Sequence, residues 1–207
     1  MLKNITAHYI RCNSAELNKN KNMREATIER ARTEWTGPEW DAENAPSVKE
    51  DARLRVEYIP YNEAIKESNW ELVKKNQPFD PAKPSPVYPK RFQLEIFKRL
   101  DRLGMVNQYD DMFYYSAGKS ILDQHGVDGW FEYSGGRAAV DWTVNEAKRG
   151  GYKSILIFPE DVEIPEKFDN KVEEIVDALL EDKRQKAAAR KQKSSYRPLI
   201  QRRLKPK

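Results

Sequence analysis

Two aspartates in one short stretch are the residues best placed to do chemistry. The stretch reads Gly126-Val127-Asp128-Gly129-Trp130-Phe131-Glu132-Tyr133, then Ser134-Gly135-Gly136, then 137–144 with Asp141 inside it. Both flanking runs are β-prone, and the Ser-Gly-Gly between them signals a hairpin turn. Antiparallel pairing through that turn joins residues whose numbers sum to roughly 270. Asp141 then falls opposite about Gly129, one step from Asp128. Two carboxylates on adjacent strands can converge on one cation. Mg²⁺ suits such a place, because it takes few carboxylates and keeps waters for a phosphate substrate. A cation held there activates water and neutralises a scissile phosphate. The plainer alternative makes both aspartates ordinary turn or strand-edge acids.

The elements that must position this pair are legible in part. Strand patterns are expected at 112–116, 127–133, 137–144 and 153–158; the last is a short apolar run ended by Pro159. A helix is expected at 91–103, where Phe92, Ile96, Leu100 and Leu103 share one face, with Gly104 as its C-cap. Another is expected at 168–180, striped by Phe168, Val172, Ile175, Val176 and Leu179. Upstream, 5–12 and 53–61 alternate as strands, 14–35 reads as a surface helix, 35–46 as a loop, and 62–75 as a helix. Five prolines in 77–90 mark an extended connector. The organisation expected is an N-terminal α/β portion (1–76), the connector (77–90), a core (91–182) and a basic tail (183–207). The fold class is α/β, a central mixed sheet flanked by helices, with an N-terminal helix and strand arm and a disordered tail.

With these residues in view, 91–158 resembles the PD-(D/E)XK nuclease superfamily, whose fold is restriction-endonuclease-like. Gly-Val-Asp at 126–128 is similar to the family's first metal-binding aspartate, and Ala-Val-Asp-Trp-Thr at 139–143 to its second acidic motif. The resemblance implies a Mg²⁺-dependent DNA nuclease in which Asp128 and Asp141 are metal ligands. Glu95 would match the acid that some members carry on the first helix. It also implies a connecting helix at 144–150. The motif is acid–any–Lys, and its third position here is Thr143. Lys119 or Lys148 would have to supply the missing amine; without one, the fold would persist as a binding module.

Other constellations fail. Two His and one Cys cannot make a structural zinc site. His8 and His125 read as a strand and a loop residue, and Glu132 as a solvent-facing strand residue. Ser116 to Ser120 lacks the upstream glycine of a phosphate-binding P-loop, since position 113 is Phe.

Charge points to a partner. The chain's 207 residues carry a formal net charge of +4, yet 183–207 holds eleven Lys and Arg and no acid, which leaves 1–182 at −7. A one-signed run of this kind seeks polyanions. Lys183, Arg184, Lys186, Arg190, Lys191, Lys193, Arg197, Arg202 and Arg203 would neutralise phosphates, and Tyr196 would stack on unpaired bases. The expected partner is nucleic acid, DNA first, with another protein of the same pathway as a further one. A non-catalytic single-strand binder that recruits a second protein is the runner-up. An interaction module or inhibitor docking through its tail is the third reading. The modest size suits a phage or mobile-element protein. One cysteine and no apolar run of about 20 residues read as a cytoplasmic chain without a membrane span.

Overall fold

The computed structural model describes residues 37–54, 58–107, 111–145, 147–148 and 153–203, with side chains from 39 to 192. The elements are α1 (Gly37–Asn44), a 3₁₀ turn (Glu50–Ala52), α2 (Tyr61–Ala64), α3 (Glu67–Lys75), α4 (Val87–Arg102), β1 (Met112–Ser116), a 3₁₀ turn (Asp123–His125), β2 (Gly129–Tyr133), β3 (Gly136–Trp142), β4 (Ile155–Ile157), α5 (Pro159–Glu163) and α6 (Pro165–Arg203). The four strands form one mixed sheet in the order β1-β2-β3-β4. The first two pairings are antiparallel and β3–β4 is parallel.

The strand alternation sorts side chains onto two faces. Tyr114, Phe131, Tyr133, Val140, Trp142 and Ile157 form one face, buried against Phe92, Ile96 and Leu100 of α4 and Phe168, Val172, Ile175 and Leu179 of α6. Tyr115, Trp130 and Ala139 form the other, under Val48, Trp70, Val73, Leu122 and Val127. Asp128 and Asp141 belong to this second face by register.

The expected helices begin earlier than their apolar stripes. Pro89 lies in the first turn of α4 and Pro165 opens α6, positions where no intrahelical N–H is needed. The connector is irregular from 77 to 86 and lies along the edge of β1. The Gln77 side chain both donates to Ser116 O and accepts from Ser116 N, while Tyr114 N donates to Pro81 O. These contacts occupy edge groups that would otherwise invite another strand.

Several expectations fail. Residues 35–46 are not a loop: Gly37–Asn44 is helical, because Trp40, 1% exposed, packs on Trp142 and Tyr88. The run 53–61 contributes only an Arg53–Ser120 bridge, and 62–75 divides into α2 and α3. The described residues of 144–150 form a turn, not a helix, since Asn145 Oδ1 accepts from Ala147 N and Asn145 O from Lys148 N. The tail is not irregular: its backbone stays helical to Arg203. Lys, Arg, Gln and Ala are strong helix formers and extend a helix already nucleated by packing. The 5–12 strand and the 14–35 helix lie outside the described residues.

Candidate functional site

The hairpin ladder brings the aspartates together more closely than expected. Gly129 pairs with Val140, so the numbers sum to one less than the sequence suggested. One step further along the ladder, Asp128 lies across from Asp141 on the same face. Asp128 N donates to Val140 O at 3.0 Å, and Asp128 Oδ2 accepts from Trp142 N at 2.8 Å. These bonds extend the pairing beyond β2 and fix the Asp128 carboxyl.

Asp141 is fully buried, and its Oδ1 accepts from Lys148 Nζ at 2.7 Å. Its Oδ2 is buried without a donor. That oxygen faces a second acid: the Asp128 carboxyl is within hydrogen-bond reach of Asp141 and also of Asp123. Carboxylates contacting one another hold a hydrogen bond only if one carries a proton. Burial first, then Asp141 and Asp123, push the Asp128 pKa well above the usual carboxylate range. Asp123, on the 3₁₀ turn, is raised by burial although it accepts from Lys119 N at 2.7 Å. Asp41, on α1, is raised from 3.8 to about 6, by burial and by Asp141 and Asp123 against the pull of Lys148. Burial alone would lower the Lys148 pKa, but its bond to Asp141 and the nearby acids outweigh that and raise it.

A pocket of four acids and one ammonium is the result. Among the described residues, no three His, Cys, Asp or Glu side chains are grouped to hold a metal. A cation here would therefore rest on two protein carboxylates, which accords with the way Mg²⁺ binds beside phosphates. The orphaned Asp141 Oδ2 is the observation that fits one.

The other expected residues separate into near and far. Lys148 is in the pocket. Lys119 enters only through its backbone N–H, held in a left-handed conformation, and the residue is exposed. Glu95 pairs with Lys98 on α4 and is not among the charges acting on Asp128. Thr143 is buried, and its hydroxyl accepts from Asn145 N, shaping the turn that returns Lys148 to Asp141. Glu132 is not solvent-facing: it pairs with Lys74 on the covered face, beside Arg137 stacked 4.3 Å over Trp70. His125 contacts Ile59 O. Within the tail, Lys183 lies over Tyr133, Lys186 pairs with Asp182, and Arg184 pairs with Glu181. Arg190 and Lys191 are exposed. The side chains of Lys193, Tyr196, Arg197, Arg202 and Arg203 lie outside the described residues.

Sequence reasoning missed Asp41 and Asp123. Asp123 precedes Asp128 by only five positions, and that short spacing was a usable signal. Asp41 had none, because its approach to Asp141 depends on tertiary packing across 100 residues. No helix among the described residues is long and apolar enough to cross a membrane. No family model, no curated protein and no solved structure matches the chain.

Proposed function

We propose that this chain binds DNA and carries a nuclease-like centre dependent on a divalent cation such as Mg²⁺. One observation supports the reading above all: Lys148 is bonded to Asp141, whose free oxygen is turned to Asp128. That arrangement supplies acid, acid and amine in one pocket although Thr143 fills the motif's lysine position. Asp128 and Asp141 would hold the cation, which, when bound, activates water and offsets charge on a phosphate. Lys148 holds the Asp141 carboxylate in place and brings a positive charge to the pocket's edge, where a phosphate oxygen would approach. Asp41 stands near enough to feel both Asp141 and Lys148, and its pKa of about 6 suits exchange of a proton near neutrality. The tail adds sequence-indifferent phosphate contacts.

The experiment is Mg²⁺ calorimetry joined to a cleavage assay on single- and double-stranded DNA. Wild type should bind Mg²⁺ and cut, and Asp128→Asn should lose both while still binding DNA. Lys148→Met should lower cleavage by at least roughly tenfold, in the range of lost acid–base or electrostatic assistance. DNA binding without Mg²⁺ uptake would favour the non-catalytic binder. Equal cleavage by wild type and Asp128→Asn would refute the site.

A further inference from the structure

Helix α4 carries two apolar stripes, and the sheet uses only one. Phe92, Ile96 and Leu100 are fully buried and fix the helix. Val87 and Leu94, on the opposite side, are 63% and 54% exposed. With Phe97 and Met112 they floor a groove of about 730 Å³ between α4 and the start of β1. An exposed apolar patch of this kind, rimmed by charge, marks an interaction site more often than a bare surface.

The rim decides the occupant. Lys83, Lys90 and Arg91 line it, against the single acid Asp111. Lys83 and Lys90 are exposed. The Arg91 guanidinium donates to Val162 O and stacks 4.1 Å from the Phe168 ring, so its charge is held in place. We propose that this groove takes an acidic amphipathic peptide segment of a partner protein. Its apolar side chains would cover Val87 and Leu94, and its carboxylates would meet the three cations, in the helix-in-groove manner.

The competing occupants fit less well. A phosphate backbone gains nothing from an apolar floor and would leave its polar groups unpaired there. The chain's own residues 1–34 carry seven Lys and Arg against four Glu, which the rim repels. A second copy pairing groove to groove would oppose like charges, because a two-fold interface presents the same patch twice.

The test uses the full chain and a fluorescein-labelled synthetic peptide of about 12 residues, which as a helix spans the about 15 Å from Val87 to Phe97. It has Leu or Phe at every third or fourth position and Asp or Glu between them. Anisotropy should show binding that weakens with salt, and that deletion of 183–207 leaves unchanged. Leu94→Asp and Lys90→Glu are surface changes, and circular dichroism should show both folded. Each should weaken binding by roughly tenfold, the scale of a hot-spot contact. A peptide with Lys in place of its acids should not bind. The proposal is overturned if wild type does not bind the acidic peptide, or if both variants bind it equally well. Displacement by oligothymidine would assign the groove to nucleic acid and overturn it too. So would self-association of wild type that Leu94→Asp abolishes. Mg²⁺ uptake and cleavage at Asp128 and Asp141 should be indifferent to either variant, so the two readings stand or fall separately.

Discussion

At the scale of single residues, the acid pocket sacrifices stability. A carboxylate whose pKa is raised in the fold binds more protons there than in the unfolded chain, so it stabilises at low pH and loses that contribution as pH rises. For Asp41 the loss runs from the ordinary 3.8 to about 6. Asp123 and Asp128 shift the same way. The melting temperature in metal-free buffer should therefore fall as pH rises through this window, and added Mg²⁺ should restore part of it at neutral pH. Asp128→Asn should flatten the profile. Its amide oxygen can still accept from Trp142 N, and its NH₂ can donate to the orphaned Asp141 Oδ2. Satisfying that oxygen is worth about 1 kcal/mol, or a melting temperature about 2–4 °C higher at pH 7.5. A variant that melts lower than wild type at that pH would show that the two carboxyls do not confront each other. The sequence placed this pair to within one register step, because a hairpin turn fixes pairing locally. It offered two lysines, Lys119 and Lys148, and the structure brings the ammonium of Lys148 alone onto an acid. The choice rests on the 144–148 turn, whose hydrogen bonds to Thr143 and Asn145 no periodicity reveals.

At the scale of elements, the pocket depends on a close approach of backbone. A Cβ at Gly118 would lie 2.1 Å from Ala45 O, at the end of the helix that carries Asp41. The Ser116 to Ser120 run thus earns its glycine by letting α1 and its following loop settle against the sheet, where Val48 N donates to Gly118 O at 3.0 Å. Gly118→Ala should cost about 1–3 kcal/mol, as overpacking does, and should return the Asp41 pKa toward 3.8 as α1 moves off. Chemical denaturation and carboxyl NMR would measure the two effects. An unchanged stability would mean the loop yields without strain. The strands and the two core helices were legible because their apolar periodicity is strong. Helix α1 was not, since its eight residues, GPEWDAEN, read as turn chemistry and only the burial of Trp40 makes them a helix.

For the whole molecule, the long C-terminal helix joins core to tail. Its first half packs on the sheet as far as Leu179, and Asp182 Oδ2 accepts from Arg137 N at 2.8 Å. Truncation after Asp182 should leave the melting transition nearly unchanged, since the exposed Lys186 pair contributes little. Removal of eleven cations should weaken DNA binding steeply. With about six of them on phosphates, the intact chain's log affinity should fall against log salt with a slope near −5. An unaltered slope in the truncated chain would rule the tail out as the grip.

The course of that helix also sets a length scale. Phe168 lies by Phe92, which also packs on Trp142 at the acid end of the hairpin, and a Cβ at Gly136 would abut Leu179 O at the turn end. The cations beyond Lys183 therefore leave from the end remote from Asp128. Five strand residues separate the ends, about 17 Å. A straight run from Leu179 to Arg203 adds about 36 Å. On the proposed function the molecule is a ruler. DNA shorter than about 5 base pairs cannot touch pocket and arm together, and gains should cease near about 16, at about 3.4 Å per pair. A duplex ladder assayed for kcat/KM should rise between those lengths and then level off, and the truncated chain should show no such rise.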